Sequence, residues 1–305
     1  MIVVFPASPG TKTLIDPAFE REMEAARAAG CKAGVVWEQR GEFRFTFTMI
    51  PSPEPPHYQE VAIYRGWMLS TEEYRKLHEA LWRQGYQLIN NLDEYLYCHE
   101  LPRWYRDFSE TTPPSIWVTD IRASYGAIQA RVKEQLGPGP YVVKDFVKSE
   151  KHYWNEACYI PGPEDIERVT RRFVELREPL IGGLVYRKYQ PFRIVGEHPK
   201  SKMPLANEAR FFVLHGRPIL GFPYWGPEEG GADISMPEAP PDLSWTGLVK
   251  SNFYTVDIAQ LPEDMGGGWV IVELGDGQVA GLPDHVEARV FYERLKERFI
   301  FPEPS

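Results

Sequence analysis

The sequence predicts an α/β chain whose C-terminal half turns to α+β. Three observations carry this. Apolar runs alternate with amphipathic helical segments through the first third, a Pro- and aromatic-rich stretch interrupts the alternation, and hairpin-like strand pairs follow it. Strand–helix alternation at this pitch implies a parallel sheet covered by helices, because parallel strands need a crossover connection. No GxGxxG follows the first strand, so a dinucleotide site is not predicted.

"MIVVF" opens as a short strand. A helix is predicted over "DPAFEREMEAARAAG": Asp16 caps free N–H groups, Pro17 suits the first turn, Phe19, Met23 and Ala26 share one side, and Gly30 ends it. "AGVVW" and "EVAIYRGWML" read as further strands. "STEEYRKLHEALWRQG" is a helix opened by Ser70 and Glu73 at capping-box spacing and closed at Gly85, and "YQLIN" returns as a strand. The stretch "LPRWYRDFSETTPPSIWV" reads as a boundary between a first unit, 1–115, and a second, 116–305.

In the second unit the helix "TDIRASYGAIQARVKEQLG" leads into the strand "YVVKDF", and the helix "PEDIERVTRRFVELR" into "GGLVYRKY". Two hairpins are expected, "EARFFVLHGRPILGFPYW" turning at His215–Gly216 and "WVIVELGDGQVAGL" turning at Gly275–Asp276–Gly277. "GPEEGGADISMPEAPPD", Gly226 to Asp242, reads as a long irregular loop, expected to be a mobile cover or rim of a site. "DHVEARVFYERLKERF" is a final amphipathic helix.

Composition narrows the function classes. A formal net charge of -9 argues against a general nucleic-acid or anionic-membrane binder, although a local basic cleft stays open. No apolar segment approaches the roughly 20 residues needed to cross a bilayer, and "MIVVFPASPG" lacks the features of a signal peptide, so a cytoplasmic protein is expected. The three cysteines, Cys31, Cys98 and Cys158, are isolated and read as buried thiols. No HExxH or nucleophile-elbow motif occurs, which sets nucleophilic triad chemistry aside.

Charges at the ends of apolar strands are the strongest functional signal. Lys144 follows "YVV", Glu208 and Arg210 precede "FFV", Asp257 sits within "FYTVDIAQ" and Glu273 ends "WVIVE". A lone carboxylate in such surroundings costs several kcal/mol, so it must meet a cation or a metal. Two readings stand: ion pairs, Lys144 with Asp257 or Arg210 with Glu273, or two carboxylates for a hard divalent cation with Lys and Arg for the phosphates it bridges. Taken together the charges favour the second for Asp257 and Glu273, with Asp276 as a third ligand in its turn.

The ordered set "YVVKDFVKS", "GGLVYRKY", "NEARFFVL", "VDIA" and "VIVELGDGQ" resembles the ATP-grasp superfamily, and in particular the divergent clade that includes a eukaryotic cell-division-cycle protein assisting assembly of translation initiation factor 2. "AIYRGWML" looks like that clade's pre-ATP-grasp segment. The resemblance implies an ATP-grasp fold behind an N-terminal pre-ATP-grasp parallel-sheet domain, with ATP and Mg2+ bound between the last two subdomains. It implies that Lys144 contacts the α-phosphate and adenine side, and that Lys148 and Ser149 lie in the loop over the phosphates. Tyr186, Arg187, Lys188 and Tyr189 would form the adenine linker, Glu208 and Arg210 would sit at the ribose and γ-phosphate side, and Asp257 and Glu273 would hold Mg2+. Arg187 stands where many such enzymes carry Glu, Asp276 where they carry Asn, and "KSEKHYWNEA" replaces the usual glycine-rich loop, with Lys148, Ser149 and Lys151 as donors in its place.

Arg65 in "YRGWM" has two readings, a strand-end pair or stack on Trp67, and a grip on an anionic acceptor. The favoured activity is ATP-dependent ligation of a carboxylate to an amine through an acyl phosphate, on an unidentified small or macromolecular acceptor. Nucleotidyl or phosphoryl transfer to a hydroxyl or nucleic-acid end is the enzymatic alternative, and an ATP-binding assembly factor the non-enzymatic one.

Overall fold

The computed structural model describes residues 1–39, 41–47, 60–120, 124–177, 179–231, 236 and 243–300. Its N-terminal sheet has the order β3-β2-β1-β4-β5: β1 (Ile2–Pro6), β2 (Lys32–Gln39), β3 (Glu42–Phe47), β4 (Glu60–Tyr64) and β5 (Tyr86–Leu88). β1 runs parallel to β2 and β4, and β4 parallel to β5, as the crossover argument requires, while β3 adds an antiparallel edge. The "EFRFTF" alternation that forms β3 is not among the strands predicted above.

Side chains alternate across β1. Val3 and Phe5 enter one core with α1 (Glu20–Ala28), and Ile2 and Val4 enter another with α2 (Thr71–Trp82), so helices cover both faces. α2 starts with the predicted capping box, Ser70 and Glu73 satisfying each other's backbone N–H groups.

The predicted boundary stretch is ordered. After α3 (Leu92–His99), "LPRWYRDF" forms α4 (Leu101–Phe108), with Pro102 in the first turn, where a proline costs no hydrogen bond, and Leu101, Trp104 and Phe108 buried along one side. β6 (Ser115–Val118) then joins a second, antiparallel sheet of order β6-β9-β7-β8, with β7 (Tyr141–Asp145), β8 (Tyr159–Ile160) and β9 (Leu184–Lys188). α5 (Tyr125–Leu136), shorter than predicted, and α6 (Ile166–Leu176) pack on it. Gly182, at φ +76°, turns the chain into β9 where a Cβ would fall 2.2 Å from the Phe146 ring.

A small hairpin of β10 (Ile194–Glu197) and β11 (Pro204–Ala206) leads to the third sheet, β13-β12-β14-β15, formed by β12 (Glu208–Leu214), β13 (Arg217–Pro223), β14 (Phe253–Gln260) and β15 (Trp269–Asp276). The predicted turn at His215–Gly216 is present, both residues at positive φ, as a two-residue hairpin turn demands. The hairpin predicted to turn at Gly275–Asp276–Gly277 is not formed: β15 runs through Asp276 and pairs backward with β14, and the chain turns just beyond, the Val279 N–H bonding the Asp276 carbonyl at 3.2 Å. Of the loop from Gly226 to Asp242, residues 232–235 and 237–242 lie outside the described residues.

α7 (Ala288–Ile300) returns to the N-terminal unit, where Phe291, Tyr292 and Leu295 pack with Val3, Phe5 and Phe212 in one core. No described helix is long and apolar enough to cross a membrane.

Candidate functional site

The site is built from a row across the third sheet. Arg210 on β12 is the register partner of Asp257 on β14, which is the partner of Glu273 on β15. Directly paired residues project to the same side, so three widely separated segments place their charges together. Arg210 grips Asp257 with both forks, Nε to Oδ1 at 2.6 Å and Nη2 to Oδ2 at 2.7 Å. Lys144, arriving from β7 in the second sheet, bonds Glu273. The ion pairs are thus the reverse of those the sequence suggested.

Two cavities meet at this row. A slot of about 140 Å3 lies between the second and third sheets, walled by Val142, Tyr189, Met203 and Trp225 and carrying Lys144 and Glu208. A larger cavity of about 490 Å3 opens on the other side, lined by Arg210, Asp257, Glu273, Lys148, His99 and Trp67 among others. Lys144 faces the slot and Glu273 the larger cavity, so their bond is the junction between the two.

The loop after β7 divides its side chains between the cavities. Asp145 accepts from the N–H groups of Val147 at 2.7 Å and Lys148 at 2.5 Å, while Arg177 holds its other oxygen at 2.9 Å. The resulting bend puts Lys148 in the larger cavity and Ser149 and Lys151 in the slot. The Lys151 ammonium rests over the faces of Tyr224, at 5.0 Å, and Trp225, at 5.5 Å.

Burial tunes these groups in different directions. Desolvation alone would raise the Glu273 carboxyl, but Lys144, Lys151 and Arg210 override it and hold it at about 2. Glu208 is pushed up to about 7 by burial, reinforced by Asp257 and Glu273 against Lys151, and its Oε1 has no hydrogen-bond partner among the described residues. Burial also lowers Arg187 to about 10. His99 falls to about 4 through burial, helped by Lys148 and Lys144.

Asp257 and Glu273 fit a magnesium ion by their chemistry: a buried and a half-buried carboxylate side by side, oxygen donors only, facing a cavity with cations beside them for phosphate. A sequence model of an ATP-grasp domain, the third family of its clade, matches residues 135–295. The chain belongs to this family. In this ATP-grasp protein the matched stretch spans the third sheet and all of the second but β6, and supplies nearly all of the slot's lining, whereas Phe19, Trp67 and His99 of the larger cavity come from outside it.

Solved structures of like fold extend over nearly the whole chain. A RimK domain ATP-grasp protein from Sphaerobacter thermophilus DSM 20745 is 15% identical, with a TM-score of 0.59 and coverage of 97% of this chain and 98% of that one. The D-cycloserine synthetase DcsG is 15% identical, with a TM-score of 0.58 and coverage of 98% and 99%. The ATP-grasp ligase PsnB, complexed with minimal precursor, Mg and ADP, is 14% identical, with a TM-score of 0.51 and coverage of 98% and 97%. A comparison with curated proteins gave no match.

The ATP-grasp fold gathers most of the predicted site residues, and Lys144, Lys148, Ser149, Arg187, Lys188, Tyr189, Glu208, Arg210, Asp257 and Glu273 all line one cavity or the other. Arg65 and Asp276 also line the larger cavity, but their polar atoms are bonded within the protein, and Tyr186 lines neither cavity. The Arg65 guanidinium is 1% exposed, doubly bonded to Glu22 at 2.9 and 3.0 Å and donating to the Gly277 and Ala280 carbonyls, which is the paired arrangement of its two readings. Asp276 lies three residues beyond Glu273 in the same strand and therefore on the opposite face. It is bonded to Asn90 at 2.6 Å and to the Gln278 N–H at 2.9 Å, raised to about 6 by burial, and no cluster of three potential metal ligands exists among the described residues. Tyr186 sits mid-ladder between β6 and β7 with its hydroxyl on Thr170, so neither its backbone nor its ring reaches the slot.

In the rest of the linker, the N–H groups of Lys188 and Tyr189 bond the carbonyls of Pro114 and Pro140. Sequence reasoning missed His99, because α3 was not predicted, and Asp145, whose role depends on Arg177 32 residues away.

Proposed function

We propose that the chain is an Mg-ATP-dependent ligase that activates a carboxylate as an acyl phosphate and joins it to an amine. The observation that carries this reading is the Lys144–Glu273 junction: a slot of nucleobase dimensions, walled by apolar and aromatic side chains, opens through a lysine and a carboxylate into a larger polar cavity. ATP lying in the slot with its phosphates toward Lys144 would present its γ-phosphoryl group to the larger cavity, where the acceptor has room.

In this reading the linker carbonyls near Lys188 and Tyr189 accept from the base, and Glu208 takes the ribose hydroxyls. Lys144, Lys151 and Ser149 hold the phosphates in place of a glycine-rich loop. Asp257 and Glu273 would hold Mg2+, which would supply charge neutralisation for the phosphates. Arg210 and Lys148 then neutralise the transferring group from the acceptor side, so catalysis rests on position and charge and needs no protein nucleophile. Lys144 and Arg210, which pair with Glu273 and Asp257 here, would be the cations available to phosphate oxygens once those carboxylates held the metal.

Neighbours of like fold that are named ligases or synthetases, PsnB and DcsG, support a ligase, and PsnB's complex with Mg and ADP supports the cofactor pair. We take the division at 115/116 as the limit of the ATP-grasp region, and a cytoplasmic location as consistent with three buried free thiols. The test is the fate of labelled ATP incubated with the protein and pooled cell extract. ADP and phosphate dependent on added carboxylate and amine are expected. AMP without ADP would replace the ligase with a nucleotidyl transferase. Unconsumed ATP that raises affinity for a protein partner would favour an assembly factor, as in the initiation-factor clade that the sequence resembles.

A further inference from the structure

The larger cavity contains a polar side chain that the ligase reading leaves unused. His99 lies at the end of α3, its ring stacked on Tyr95 with centroids 4.6 Å apart, and it lines the cavity beside Lys148. Both ring nitrogens are buried and neither has a hydrogen-bond partner among the described residues. A buried imidazole without partners forfeits the hydrogen bonds it would make to water, and such a group needs an explanation. The stack on Tyr95 fixes the ring plane, so its position is set before any ligand arrives.

The neighbours decide what chemistry the imidazole would meet. Lys148 carries an ammonium with no side-chain partner among the described residues, whereas the carboxylates of the same cavity are taken, Asp257 by Arg210 and Glu273 by Lys144. The free capacity is therefore one cation and one neutral N–H donor. An ammonium group would face Lys148 without a counter-charge. A carboxylate would take a charge-assisted bond from Lys148 and a second hydrogen bond from His99. On the outer side of the cavity Phe19, Trp67, Met68 and Leu282 offer an apolar wall for the remainder of a molecule, with Trp67 56% exposed at the rim.

We propose that His99 and Lys148 form the subsite for the carboxylate that is to be phosphorylated, the acid being one with an apolar body. This deepens the ligase reading and rests on it. His99 stays neutral there: burial and the cations Lys148 and Lys144 disfavour the imidazolium, against Glu273, so it serves as a hydrogen-bond donor and not as a proton acceptor. In the step itself a carboxylate oxygen bonds to the γ-phosphorus as the bond to the β-phosphate oxygen breaks. That oxygen leaves on ADP with the electron pair, and no proton has to move.

Hydroxylamine trapping tests this without knowledge of the amine, because it converts an acyl phosphate to a hydroxamate. Wild type, His99→Leu, His99→Gln and Lys148→Met are incubated with Mg-ATP, hydroxylamine and a panel of amino acids, N-acetyl amino acids and dipeptides. ATP affinity is measured separately by calorimetry. For the best acid of the panel, His99→Leu is expected to raise KM at least tenfold while ATP affinity changes less than threefold. His99→Gln, which keeps an N–H donor, is expected to recover most of that loss, and Lys148→Met to raise KM further. Unchanged KM in His99→Leu overturns the subsite and leaves the ligase reading standing. ATP affinity lost together with acid affinity also overturns it, by returning His99 to the nucleotide site or to the fold. Wild type that binds ATP yet yields neither hydroxamate nor ADP with any acid overturns the ligase reading itself.

Discussion

Two buried arginine–carboxylate pairs occur in this molecule with almost the same local geometry and opposite uses. Arg65 and Glu22 form a doubly bonded pair, as do Arg210 and Asp257. Around the first, two backbone carbonyls, the Tyr292 hydroxyl on Glu22 and the rings of Phe212 and Phe291 complete the surroundings. Around the second stand Glu273, Lys144 and an open cavity, with the Arg210 side chain 19% exposed against 1% for Arg65. A pair becomes functional through what remains unsatisfied around it. Arg65 has its partners within the fold, whereas the Arg210 row can trade its partners for a ligand's.

The largest expected effect breaks the saturated pair. Arg65→Ala leaves Glu22 as an uncompensated buried charge, and urea denaturation should show a loss of about 3–5 kcal/mol. Arg210→Ala should cost less than half of that, because the exposed side of its row admits water. Equal losses would erase the distinction between the two. Next, Asp257→Asn combined with Glu273→Gln should remove the Mg2+ dependence of ATP binding, and Lys144→Ala should weaken ATP binding at least tenfold, both by calorimetry. Tight binding that ignores Mg2+ in the wild type would return the carboxylates to a purely ion-pairing role.

A pH effect of intermediate size sharpens the comparison. The Glu208 carboxyl is raised in the folded state from 4.5 to about 7, so the folded protein binds more protons than the unfolded chain between those values. Its contribution to stability is full below about 4.5 and falls as pH rises through about 7. His99 acts oppositely, being lowered from 6.5 to about 4, so its contribution rises with pH over that window. The difference in stability between wild type and Glu208→Gln isolates the first slope. A flat difference from pH 4.5 to 7 would show that Glu208 ionises normally. The smallest effect is expected at Arg289–Glu293, an exposed pair on α7 at i,i+4 spacing, where Arg289→Ala should change stability by about 0.5 kcal/mol or less.

Local signals made much of the fold legible. Ser70 with Glu73, Asp16 with Pro17, and His215–Gly216 act within a few residues, and each gave its element correctly. Within the stretch read as a boundary, Pro102 occupies a first helical turn, where its missing N–H costs nothing, so the helix α4 there was not legible from its proline. "GDG" misled, because β15 gains its ladder from β14, and that pairing outweighs a local turn preference. At the site, charges within apolar strands identified Lys144, Arg210, Asp257 and Glu273, since burial makes charge conspicuous. Which cation meets which carboxylate was not legible, because Lys144 and Glu273 lie 129 residues apart and the strand register decides. For Arg65 the sequence shows only a charge at a strand end. Its partner Glu22 looks like any polar position on an amphipathic helix.

The core that joins Val3 and Phe5 to Phe291 and Tyr292 also governs the order of events during synthesis. Glu22 and Tyr292 share a hydrogen bond across 270 residues. At ribosomal rates of about 5–20 residues per second, the N-terminal sheet waits roughly 13–54 seconds between the emergence of Glu22 and that of Tyr292. Over that interval α1 packs on Val3, Phe5 and Val35 without the α7 residues Phe291, Tyr292 and Leu295 that complete the same core. The second and third sheets emerge within that interval, so the N-terminal unit completes its packing only after they have been made.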